Sequence, residues 1–212
     1  MSSPGACGGA YRKDSRRGRF SGEELAQPLD LGIDLTLGTN TLTLASGGLI
    51  KQGGAVGNNN AANRSTISGG TISAGTTAGA ELFVRVTGAN LNLTSAIADN
   101  VGGSVNLVKS GAGLLILGGT NTYTGKTYLN EGTIQANNIA RFGTGAGREL
   151  FFNGGTLQFS GSFDPSAITT TFNGNATFDT QANSVTLASP VGNGGSGSVI
   201  KSGTGTLVFT AA

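Results

Sequence analysis

The sequence predicts an all-β solenoid, a rod of stacked coils made from short strands. Three observations predict it: short runs that alternate apolar and polar residues, glycine-rich turns closing each run, and a long phrase that returns far along the chain. Period-two alternation puts one face of each run inside and leaves the other polar.

Taken in order, residues 1–28 mix Gly, Ser, Arg and Lys with no apolar periodicity, which reads as a disordered or non-native leader. Within it, Ser21 to Ala26 is the one helix candidate, and it is too short to be stable alone. Pro28 marks the boundary, and residues 29–212 form the solenoid. Its strand runs are Leu35–Leu37, Thr41–Leu44, Leu82–Val86, Leu91–Leu93 and Val105–Leu107, then Leu115–Leu117, Leu157–Phe159, Val185–Leu187 and Leu207–Phe209. Leu115, Leu117, Leu157, Phe159, Leu187 and Leu207 occupy the inward phase. Threonine dominates the outward phase, because a β-branched side chain suits a pleated surface and its hydroxyl tolerates water. Between runs stand Gly-Gly, Asn-Gly, Ser-Gly and Asn-Asn pairs, and Asn58-Asn59-Asn60 reads as a turn or an Asn-rich loop. A coil of about twenty residues with three short strands, stacked at ~4.8 Å, makes residues 31–212 about nine coils and a rod of roughly 40 Å.

The recurring phrase runs from Leu107-Val108-Lys109-Ser110-Gly111-Ala112-Gly113 into Leu114-Leu115-Ile116-Leu117. It returns as Val199-Ile200-Lys201-Ser202-Gly203-Thr204-Gly205 followed by Thr206-Leu207-Val208-Phe209. A worn copy starts at Leu49-Ile50-Lys51. After the first copy come Gly119, Asn121, Tyr123, Gly125, Thr127 and the unit Gly132-Thr133-Ile134.

Residues 107–135 resemble the autotransporter-associated β-strand repeat, with Val108, Leu114 and Lys126 as mild departures from its pattern. The likeness extends over roughly residues 35–212. It implies a right-handed parallel β-helix with three faces per coil, in which Lys109, Gly111, Gly113, Leu115, Leu117, Gly119, Asn121, Tyr123, Gly125, Thr127, Gly132, Lys201, Gly203, Gly205 and Leu207 are structural repeat positions. It also implies a structural and adhesive stalk at the bacterial surface, contacts with host or neighbouring-cell surface molecules, and a C-terminal membrane β-barrel in the full-length protein that this chain does not contain. Since the chain stops before the Gly-x-Asn-x-Tyr half of the second copy, the last coil is expected to be left half built.

Composition agrees with a non-globular rod. Glycine supplies 38 of 212 residues and charged residues only 11%, so solubility rests on Ser, Thr and Asn. Five of the thirteen basic residues lie within the first nineteen positions, leaving eight basic against ten acidic residues beyond them. The body therefore has no basic stripe, and nucleic-acid binding is not expected. Cys7 is alone, which excludes an intrachain disulfide and a cysteine metal site. No apolar run reaches the ~18 to 20 residues of a membrane span.

Several motifs dissolve on inspection. Gly125-Lys126-Thr127 ends like a phosphate-binding loop, but Thr120 stands where that loop needs its first glycine. The glycine-rich piece at 194–197 lacks the aspartate of a calcium-binding repeat, having Val199 in its place. Lys109 and Lys201 read as solvated turn residues whose ammonium groups bond a neighbouring coil's carbonyl. Tyr123 and Tyr128 read as rings packed over turns with wet hydroxyls. The chain has no histidine, and Asp99, Glu131, Asp164 and Asp179 fall at unrelated points of the repeat. A polysaccharide-acting, pectinolytic type of β-helix enzyme is the alternative, and it would need those carboxylates clustered. No catalytic residue, cofactor or metal is expected.

Overall fold

The computed structural model describes residues 24–25, 29–30, 34–52 and 64–210. Most of the leader and the Asn58–Asn60 loop lie outside the described residues. The alternating runs become β-strands throughout. They are β1 (Glu24–Leu25), β2 (Leu29–Asp30), β3 (Leu35–Leu44), β4 (Gly48–Lys51), β5 (Arg64–Ala74), β6 (Ala80–Val86), β7 (Asn90–Leu93), β8 (Ala96–Ile97), β9 (Val105–Ser110) and β10 (Leu114–Leu117). They continue as β11 (Thr127–Leu129), β12 (Thr133–Ala136), β13 (Glu149–Phe152), β14 (Thr156–Phe159), β15 (Thr169–Phe172), β16 (Ala176–Asp179), β17 (Ser184–Leu187), β18 (Val199–Ser202) and β19 (Thr206–Phe209).

Their pairing is that of a β-solenoid. Ten strands form one sheet, ordered β1-β3-β5-β7-β10-β12-β14-β16-β18 with β8 beside β5, and seven form a second, ordered β15-β13-β11-β9-β6-β4-β2. Every strand pair is parallel, and side-chain hydrogen bonds between adjacent coils join residues from 20 to 32 positions apart. Eight steps along the longer path, at about 4.8 Å each, give a rod of about 38 Å. Of the helix candidate near the start only Glu24 and Leu25 lie among the described residues, and they are strand: they pair with Thr43 and Leu44, because two residues added to an existing sheet edge gain partners that a lone helical turn lacks.

The third face departs from the expected row of strands. β5 rounds a corner at Gly69 and Gly70, so Arg64–Ile67 pair with β7 while Thr71 and Ile72 pair with β8. Further along, this face holds an extended stretch around Asn121 and then two 3-10 turns, Ile139–Phe142 and Pro165–Ala167. Only at the far end do β17 and β19 pair again. Local chemistry causes the interruption. Asn138 and Asp164 accept hydrogen bonds from the backbone two residues on, and Pro165 starts its turn with φ already fixed.

Inside, side chains stack in register. One column runs Leu91, Leu115, Ile134, Leu157 and Phe178, all fully buried. Each such side chain adds about 1.5 to 3 kcal/mol of burial. Toward the C-terminal end phenylalanines take over, and Phe178 meets Phe152, Phe159 and Phe172 edge-on at centroid distances of 5.3 to 6.0 Å. Leu117, Phe159 and Leu187 are buried as the alternation required, whereas Leu207, on the last strand, is only partly covered.

Candidate functional site

One repeat, residues 107–136, wraps a coil and then climbs onto it. Its first half is β9, a corner at Gly111 and Gly113, and β10. Its second half supplies β11, which pairs with β9, and β12, which pairs with β10. The repeat is thus a unit that stacks on itself. Its glycines mark where successive coils touch: a Cβ on Gly119 would lie 2.2 Å from the Ser95 carbonyl oxygen, and one on Gly132 would lie 2.3 Å from that of Gly111. Gly132 also has φ +69°, a region costly for other residues. Gly113, Gly125, Gly203 and Gly205 sit against the preceding coil's backbone in the same way.

Lys109 overturns the solvated-turn expectation. It is fully buried, in register with Val84 on one side and Leu129 on the other, so it occupies an inward position of a column running Leu49, Val84, Lys109, Leu129 and Phe152. Its Nζ donates to the carbonyls of Ser110, Gly111 and Glu131, at 2.8, 2.5 and 3.1 Å. All three ammonium protons therefore have acceptors, and the Glu131 carbonyl belongs to the next coil. The carboxylate of Glu131 meanwhile accepts from the Gly111 N–H. Burial lowers the ammonium pKa to about 8, with Glu131 opposing the shift and Arg85 adding to it.

Tyr123 is likewise not wet. It is fully buried, and its hydroxyl lies 2.6 Å from Thr127 Oγ1, itself buried. Burial pushes the phenol pKa up. Asn121, two residues earlier, accepts from the Ile97 N–H and donates to the Arg141 carbonyl, so its amide links three successive levels where the strand is interrupted. Tyr128 faces outward and stacks on Phe151 with centroids 5.0 Å apart, beside the Lys126–Glu149 ion pair.

The second copy stands on a different face. Whereas residues 107–117 run from the seven-stranded sheet to the ten-stranded one, β18 belongs to the ten-stranded sheet and β19 to the short third one. Lys201 is in register with buried Phe178, an inward position, yet it is exposed on the last coil, and among the described residues its Nζ bonds only the Gly203 carbonyl, at 2.9 Å. The phrase therefore specifies a corner, not a particular corner.

Outer polar ladders were missed in the sequence. Asn173 donates to Asn153 and Asn153 to Asn130, three coils in a row, and Gln135, Gln158 and Asp179 form a second such row. Identical amides at coil spacing were the available signal. Although burial pushes the Asp179 carboxyl up, hydrogen bonds from Gln158 and Gln181 and the Lys201 charge hold it below the usual carboxylate range. Asp99 accepts from the Val105 and Thr124 backbones, and Asp164 accepts from Ser166 and Ala188. Each acid thus serves the backbone of its own turn and of the next coil. Among the described residues no three acidic or sulfur ligands gather in a metal-binding group, and no helix is long and apolar enough to cross a membrane.

Comparison with known proteins agrees with this architecture. The passenger-associated-transport-repeat family matches residues 107–136 and 199–212. The chain is similar to the adhesin BmaC autotransporter of Brucella suis biovar 1 (strain 1330), with 34% identity over 146 residues, which is 61% of this chain and 4% of that protein. The aligned part is thus a small fraction of that relative's length. No solved structure matches the chain.

Proposed function

We infer, from a chain that is a β-helical stretch of autotransporter passenger built on passenger-associated transport repeats, that its work is structural and adhesive: it projects from the bacterial surface as a rod whose sides hold to host or neighbouring-cell molecules. The observation that carries this is the self-stacking repeat. It spends its buried chemistry, Lys109, Asn121 and Tyr123 included, on joining coils, and leaves outward faces of hydroxyl and amide groups for contact. The adhesin relative supports the same reading. In the full-length protein the rod is held to the outer membrane by a C-terminal β-barrel, as the resemblance implies.

The segment does no catalysis of its own. Each of the four dispersed acids is committed to a backbone or amide donor of its own coil or a neighbouring one. The test is attachment of the purified chain, immobilised on beads, to epithelial and bacterial cells. Saturable binding above that of an unrelated solenoid is expected. Its absence on every surface, or turnover of a polysaccharide that a single Asp or Glu substitution abolishes, would overturn the reading.

A further inference from the structure

On the outer side of the early coils lies a half-open groove of about 510 Å³, bounded by β3, β5 and the loop from Asp99 to Ser104. Its floor is a small lattice of hydroxyls. Thr41 pairs in register with Thr71, and Thr43 with Ser73, which sets the groups about 4.8 Å apart across coils and about 7 Å apart along each strand. Beyond them the third coil offers Ala96 and Ala98, so the lattice stops at a step.

The loop forms the wall, and it is held firmly. Asn100 Nδ2 donates to the Ala74 and Thr77 carbonyls, both at 2.8 Å, and Asn100 and Gly103 bond each other's backbone. At its tip Val101 is 97% exposed, an apolar rim over a polar floor. This wall has a consequence for Ser73. Its neighbours Ile72 and Ala74 point inward, so Ser73 points outward, and yet it is buried. Its Oγ has no hydrogen-bond partner among the described residues, and Ser73 is one of the residues that line the groove. A buried hydroxyl without a partner is costly, and a ligand hydroxyl entering the groove would relieve that cost.

We propose that this groove is a binding site for a neutral saccharide unit, its hydroxyls bonded by Thr41, Thr43, Thr71 and Ser73 and its C–H face laid against Val101. Among the described residues the lining has no lysine, arginine or aromatic ring, so it offers neither an anion clamp nor a base-stacking platform. It does carry Asp99, which disfavours sialylated or uronic sugars. Threonine methyls beside hydroxyls match the mixed polar and C–H surface of a pyranose, and the two rows are about as broad as one ring. The proposal rests on the surface-adhesion reading and gives it a ligand class.

Calorimetry and saturation-transfer NMR on the whole chain, with neutral galactose-, glucose- and N-acetylhexosamine-containing oligosaccharides and their sialylated counterparts, test it. Neutral sugars bind saturably, sialylated ones more weakly, and Ser73→Ala loses roughly tenfold in affinity while melting no lower than wild type. Thr43→Val does likewise without emptying the core. Failure of every neutral sugar to bind, or equal affinity in both variants, overturns the groove. Cell attachment by the same variants separates the two readings. Attachment that persists when no sugar binds removes the groove and leaves adhesion standing. Sugar binding without attachment by the wild type removes adhesion and leaves the groove.

Discussion

Lys109 and Lys201 each donate from Nζ to the carbonyl of the glycine two residues on, Gly111 and Gly203, but only Lys109 also reaches a carbonyl of the next coil, that of Glu131. The pair shows one device in two settings: sealed between coils, and open on the last one.

Lys109→Met strands three carbonyls, at about 1 to 3 kcal/mol for each left without a donor, and this outweighs the relief of no longer burying a charge. A net loss of about 2 kcal/mol at pH 7 is expected in urea unfolding. Lys201→Met, whose site is exposed, should stay within about 0.5 kcal/mol of wild type. Equal losses at both positions would show that burial plays no part.

The lowered pKa of Lys109 sets a pH dependence. From about pH 8 upward the folded chain releases this proton while the unfolded chain keeps it toward 10.5, so stability rises with pH across that window, by on the order of 2 kcal/mol. Tyr123 acts oppositely above about pH 10, where the unfolded chain ionises first and stability falls. Urea midpoints at pH 7, 9, 10 and 11 should therefore pass through a maximum. Lys109→Met should remove the rise, and Tyr123→Phe should soften the fall.

Tyr123→Phe leaves the buried Thr127 hydroxyl without its partner, and about 1 to 2 kcal/mol should be lost. Thr127→Val should cost a similar amount. The double variant removes both polar ends, so it should be less destabilised than the sum of the two. Strict additivity in a double-mutant cycle would mean that the hydroxyls do not couple.

Phe178→Ala opens a void among Phe152, Phe159 and Phe172, with an expected loss of about 3 to 5 kcal/mol. Gly119→Ala should also destabilise, by pressing the coils apart at Ser95. Gly147→Ala, which has open space around its Cβ position, should not. Thermal melting of the three variants side by side checks the order.

Much of the rod was legible because alternation and glycine placement are local signals. Leu115 and Leu157 announced their inward phase, and their strands lie where the pattern put them. Lys109 was misjudged although it shares the phase of Leu107, since its charge argued for water and only stacking reveals the three carbonyls that receive it. Tyr123 was misjudged for a similar reason: Thr127, four residues on, supplies the acceptor or donor that replaces solvent. The third face was illegible because its order comes from single side chains such as Asn121 bridging levels, which leave no periodic trace. Ser73 sits in an ordinary Thr/Ser phase, and nothing in that phase marks its burial next to a loop that Asn100 ties to the Ala74 carbonyl.

In both long sheets the strands lie across the rod, so their hydrogen bonds run lengthwise along it. A surface-anchored fibre gripped at its far end would feel drag as tension along that same direction. Every junction between coils then carries the full load in series, and the fibre is as strong as its least cohesive junction. Among the described residues the shortest pairings are those of the first junction, where β1 and β2 each pair with the next coil over two residues, against four for β16 with β18 and for β17 with β19. Under pulling, coils should part there first, and the phenylalanine-packed levels toward the other end should part later.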